Sequence, residues 1–104
     1  MAKILVVEDD EPMKNILVET LSDDGHQVSY ALDGREAVEA FRPGWVELVI
    51  TDVRLPGMDG VEVLTRLKAL YPQLQSIVMT GYAADDIPAR AVQVQVDDYL
   101  IKPF

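Results

Sequence analysis

Four places in this chain set a charged or hydroxyl side chain directly after an apolar run. Glu8, Asp9 and Asp10 follow "KILVV", Asp52 follows "LVIT", Thr80 ends "SIVMT", and Lys102 ends "DYLIK". Grouped carboxylates can hold a hard cation through oxygen. One of them can also act as a nucleophile whose developing charge a lysine offsets. Taken singly, each residue has a plainer reading. Asp52 and Lys102 would be strand ends meeting water, and the acids before a helix would sit favourably at the positive end of its dipole. The chemical reading requires the fold to bring the four places together.

The elements that would do so are legible in the hydrophobic pattern. "KILVV" (Lys3 to Val7) is a short unbroken run rich in β-branched residues, typical of a parallel strand buried on both faces. "EPMKNILVETLSDDG" carries Met13, Ile16, Leu17, Thr20 and Leu21 at helical spacing, with Pro12 suited to the first turn and Gly25 to the C-terminal end. "HQVSYA" predicts a second strand, and "DGREAVEAF" a helix opened by Asp33, with Ala37, Val38 and Phe41 facing inward before Pro43 and Gly44 stop it. "VELVIT" is the third strand. In "DGVEVLTRLKAL", Asp59 and Glu62 have capping-box spacing and Val61, Leu64, Leu67 and Leu70 form the apolar stripe, until Pro72 ends the helix. "QSIVMT" and "DYLIK" give the fourth and fifth strands, joined by residues 81–96, where a helix is expected but weakly encoded.

Strict alternation of strand and helix with short connections implies a parallel sheet covered on both faces, because parallel neighbours need right-handed crossovers. Ligands of such open sheets bind beyond the carboxyl ends of the strands. Glu8, Asp9, Asp10, Asp52, Thr80 and Lys102 all belong to that edge. Carboxylates a few ångströms apart repel one another unless a cation neutralises them. Mg²⁺ commonly takes one or two carboxylates together with waters and phosphate oxygens. The edge therefore has the make-up of a Mg²⁺ site that receives a phosphoryl group.

With these residues in place the chain resembles the receiver domain of two-component response regulators, the CheY-like superfamily. The resemblance runs from Lys3 to Phe104 and is carried by "ILVVEDDEP", "VITDVRLPGMDG", "IVMTGYA" and "DYLIKPF", in that order. The spacings agree as well: Asp9, Asp52, Thr80 and Lys102 lie 43, 28 and 22 positions apart in turn. It implies an α/β, flavodoxin-like, doubly wound sheet of five parallel strands in order 2-1-3-4-5. It also implies one receiver domain, here read over residues 1–104 and ending after strand five.

Position by position, the resemblance makes Asp52 the phosphoacceptor, held at a rigid strand tip in line with the incoming phosphorus. It makes Asp9 a direct Mg²⁺ ligand, Glu8 a partner acting partly through water, and the backbone carbonyl of Arg54 a third protein ligand. Asp10 falls one place too late and reads as a helix N-terminal residue. Lys102 would pair with the phosphoryl oxygens, held by an expected cis bond to Pro103. Thr80 would be the switch hydroxyl and Tyr99 the aromatic that turns inward behind it; without the resemblance, Tyr99 reads equally as a half-buried strand tyrosine. Tyr82 and Arg54 would shield the phosphoryl group from water. The implied donor is a histidine kinase or phosphotransfer protein, since the lone His26 lies in a turn and reads as a surface residue.

Two departures stand out. Residues 94–96, Val94, Gln95 and Val96, replace the small-Gly-small triplet that usually ends the fourth helix, and Pro88 lies in the same segment, so that helix should be short or displaced. The fifth helix is missing, which would leave Ile77, Val78, Met79, Leu100 and Ile101 exposed and favour self-association. The initial Met suggests that the receiver leads its polypeptide. Three alternatives compete. An aspartyl phosphatase or phosphomutase would want an acid two residues after Asp52, where Arg54 stands; a degenerate receiver serving only as a docking or dimerisation module would lack a site residue; and a nucleotide or flavin binder would need a Gly-rich loop after strand one.

Composition bounds the rest. At 104 residues and 49% hydrophobic, the chain suits one globular domain. A formal charge of −9 argues against direct nucleic-acid contact, which relies on Lys and Arg. The absence of cysteine rules out disulfides, thiolate metal sites and a Cys nucleophile. No apolar run is long enough for a membrane span, and "MAKILVVEDD" turns acidic too early for a signal peptide, so a cytoplasmic protein is expected.

Overall fold

The computed structural model describes residues 2–55, 57–80 and 97–101, with the backbone alone at Thr80, Tyr99 and Ile101. The elements are β1 (Lys3–Val7), α1 (Glu11–Asp23), β2 (Gln27–Ala31), α2 (Gly34–Ala40), β3 (Leu48–Asp52), α3 (Gly60–Leu70), β4 (Gln75–Thr80) and β5 (Asp98–Ile101). All strand pairs are parallel, and the sheet runs β2-β1-β3-β4-β5. Residues 81–96, with Tyr82 and the weakly encoded helix, lie outside the described residues.

The unbroken apolar strands follow from burial on both faces. Side chains alternate along a strand, so Leu5, Val7, Val49 and Val78 join Leu64 and Leu67 of α3 on one side, with Ala37 and Phe41 of the α2 segment. Ile4, Val6, Ile50 and Met79 meet Leu17 of α1 on the other, with Met13 and Leu21 packed alongside. Val78 and Met79 are both fully buried, which removes two of the five residues expected to form an exposed apolar patch. Ile77 and Leu100 are partly buried against the α1-side cluster.

Each helix starts on the expected cap. Asp10, Asp33 and Asp59 accept from the backbone N–H groups of Met13, Glu36 and Glu62. Such a cap contributes typically about 1 kcal/mol. Gly25, at φ 93°, takes the left-handed turn that ends α1. The inward face of α1 is rotated from the expected one: Met13, Lys14, Leu17 and Leu21 turn inward, while Ile16 is 60% exposed and Thr20 faces solvent. Lys14 can occupy that face because its ammonium lies 3.9 Å from the ring centroid of Tyr30 and its stem covers apolar surface. In α3, Val63 is buried, whereas Leu70, the last helical residue, is half exposed. His26 is not a plain surface residue either: its Nδ1 accepts from the Ala2 N–H at 2.9 Å, tying the start of β1 to the start of β2.

Candidate functional site

Parallel strands place their carboxyl ends at one edge, and the register makes that edge level. Val7 pairs with Ala31 and Thr51, and Asp52 with Met79, so β1, β3 and β4 end together. The pairing continues past the strand ends. Glu8 N–H donates to the Ala31 carbonyl, and Val53 N–H to the Met79 carbonyl, both within 3.1 Å. Those two bonds extend the parallel pairing to Glu8 and to the residue after Asp52.

Glu8, Asp9 and Asp52 converge here: each offers a carboxylate oxygen, and the three oxygens lie within 4.8 Å of one another. Glu8 is fully buried, Asp9 exposed and Asp52 intermediate. A buried carboxylate with two others beside it is costly to keep charged unless a cation joins it. Oxygens on an octahedral Mg²⁺ at about 2.1 Å lie about 3 to 4 Å apart. The donor set, all hard oxygen and gathered within 4.8 Å, suits such an ion after a small inward adjustment. Asp10 is not in this set; its carboxylate turns to the Met13 N–H at 3.0 Å.

The backbone around Asp52 is closely built. Arg54 N–H donates to Asp52 Oδ1 at 3.2 Å, fixing the rotation of the carboxylate. Fully buried Thr51 donates its hydroxyl to the Asp52 carbonyl at 3.0 Å. The loop then turns at Gly57, whose φ of 77° favours glycine, and returns at Gly60, whose N–H donates to the Val53 carbonyl at 2.8 Å. Gly60 is packed so closely on Asp52 that an added Cβ would overlap the Asp52 carbonyl oxygen and lie 2.9 Å from its carbon. In the sequence, Gly60 is only the residue after the capping Asp59, and its closeness to Asp52 arises from the tertiary fold.

Of the residues expected at the site, Glu8, Asp9 and Asp52 are thus brought together, with the exposed Arg54 beside them. Thr80 ends β4 and Tyr99 lies within β5, but their side chains are outside the described residues. Lys102 and Tyr82 also lie outside them. No described helix is long and apolar enough to cross a membrane.

Known proteins are similar to this chain in sequence and fold. Residues 4–104 match the response regulator receiver domain family. Response regulator protein FleR of Pseudomonas aeruginosa is 41% identical over 109 residues, covering 99% of this chain but only 22% of FleR. Sporulation initiation phosphotransferase F of Bacillus subtilis is 31% identical over 98% of this chain and 82% of its own length. The solved structure of response regulator protein TrrA from Thermotoga maritima, in complex with Mg²⁺ and BeF, superposes with a TM-score of 0.88 at 31% identity, over 100% of this chain and 89% of that one. With its sheet order, its acidic edge and its match over residues 4–104, this chain belongs to the response regulator receiver domain family of two-component signal transduction.

Proposed function

We propose that this receiver accepts a phosphoryl group on Asp52 from a phosphohistidine of a histidine kinase or phosphotransfer protein, and that phosphorylation switches its surface to control an output. The observation that carries this reading is the gathering of Glu8, Asp9 and Asp52 within 4.8 Å at the carboxyl edge of the sheet. An Asp52 carboxylate oxygen forms the new O–P bond as the P–N bond to the donor imidazole breaks, and the imidazole nitrogen leaves with the electron pair.

Glu8, Asp9, Asp52 and the carbonyl of Arg54 would hold Mg²⁺, which offsets charge on the transferring phosphoryl group. The chain's own part is placement. Arg54 N–H and the Thr51 hydroxyl fix Asp52 in rotation and height, so little reorganisation is needed at the moment of attack. Lys102 would meet the phosphoryl oxygens and Thr80 would reach them by its hydroxyl, with Tyr99 following inward as the switch. Arg54 and Tyr82 would slow attack by water. The site carries out its own phosphorylation and does not turn over other substrates.

Residues 1–104 would act as the receiver unit of the protein, in the cytoplasm, where the donor is charged. At a formal −9 the receiver itself suits basic protein surfaces better than nucleic acid. A docking module indifferent to phosphorylation is not favoured, because it would have no need of the gathered carboxylates of Glu8, Asp9 and Asp52. Phosphoramidate, a small P–N donor, tests the chemistry. Phosphorylation that needs Mg²⁺ and is lost in Asp9→Ala supports the reading, and phosphorylation indifferent to both refutes it.

A further inference from the structure

At the far end of β4, opposite the acidic edge, Asp97 makes an uncommon set of contacts. Its Oδ2 accepts from the Ser76 backbone N–H at 2.8 Å and from the Ser76 hydroxyl at 3.4 Å. In return, Asp97 N–H donates to the Ser76 carbonyl at 3.1 Å. Lys68, in the last turn of α3, brings its ammonium to 3.7 Å from the same Oδ2, with its side chain only 16% exposed. Ser76 is fully buried. Through this one carboxylate, α3 and β4 hold the residue just before β5.

The strand that follows is tied down at its start by this contact. β5 is four residues long and lies at the end of the sheet. Among its described side chains, Leu100 packs on a core cluster. The register of a short strand at the sheet end matters, because a slip by one residue would exchange its two faces. The register Ile77–Asp98 through Thr80–Ile101 begins immediately after the Asp97 contact. Lys102 is the next residue along the chain, five after Asp97.

We propose that Asp97 is a positioning residue: held by Ser76 and Lys68, it sets the register of β5 on β4 and through it the place of Lys102. The proposal rests on Lys102 meeting the phosphoryl group. Asp97 touches no reacting atom and would act only through the strand.

A double-mutant cycle tests it. Rates of phosphorylation by acetyl phosphate at saturating Mg²⁺ are measured by intact mass for wild type, Asp97→Ala, Lys102→Met and the double variant. Asp97→Ala is expected to slow the reaction by about 10- to 100-fold, leaving half-saturating Mg²⁺ unchanged. In the Lys102→Met background it should cost less than about twofold, because the group it places is gone. Equal slowing in both backgrounds, or none in either, overturns the proposal. Asp97→Asn, which keeps an oxygen for the Ser76 N–H, should recover most of the rate and serves in the same cycle if Asp97→Ala does not fold. Cross-strand NMR contacts between β4 and β5 read the register without phosphorylation. Intact register in Asp97→Ala refutes the proposal, whereas an absent adduct in wild type refutes the reading of the Asp52 site instead.

Discussion

Gly60 stands against the backbone of Asp52 with no room between them: a Cβ at Gly60 would lie 2.9 Å from the Asp52 carbonyl carbon and 3.1 Å from the Thr51 hydroxyl. The first residue of α3 thus serves as a backstop for the residue that would receive the phosphoryl group. The obstacle is backbone, which cannot rotate away as a flexible side chain can.

Gly60→Ala should therefore destabilise the fold and impair the site together. Replacing a helical glycine by alanine is favourable by up to about 1 kcal/mol, but overpacking costs about 1 to 3 kcal/mol. The second effect should win, lowering Tm by several degrees, at roughly 4 to 8 °C per kcal/mol for a domain of this size. Acetyl phosphate labelling of the variant should be slower than wild type at matched folded fraction. A Tm at or above wild type would show that the backbone of Asp52 can yield.

Mg²⁺ should stabilise the protein, since it binds an arrangement of Glu8, Asp9 and Asp52 that only the folded chain presents. At about 100 times the dissociation constant the gain is about 2.7 kcal/mol, a Tm rise of roughly 10 to 20 °C. Asp9→Ala should remove most of that rise. Thermal melts with and without Mg²⁺ decide the matter, and equal shifts in the two proteins would place the cation elsewhere.

Asp10 should separate from its neighbours in the same melts. Its carboxylate caps α1 through the Met13 N–H, so Asp10→Ala should cost about 1 kcal/mol while the rise caused by Mg²⁺ stays the same. A diminished rise would make Asp10 part of the metal site.

The alternation of strands and helices was plain in the sequence because burial on both faces leaves runs such as "KILVV" with no polar interruption. The three Asp caps were equally legible, being local chemistry between a side chain and the N–H groups just after it. The rotation of α1 was not. Placing Lys14 inside and Ile16 outside depends on Tyr30, a residue of another element whose ring receives the ammonium. His26 escaped for a similar reason, since its partner Ala2 lies 24 positions away. At the site, Glu8, Asp9 and Asp52 could be grouped from strand ends alone. The closeness of Gly60 to Asp52 and the triple hold on Asp97 are tertiary distances that no periodicity encodes.

Intact mass after incubation with acetyl phosphate and Mg²⁺ reads out whether Asp52 accepts a phosphoryl group. A single phosphoryl adduct is expected in the wild type, none without Mg²⁺ and none in Asp52→Asn. An adduct that persists in Asp52→Asn, or no adduct in a folded wild type, would contradict Asp52 as the acceptor.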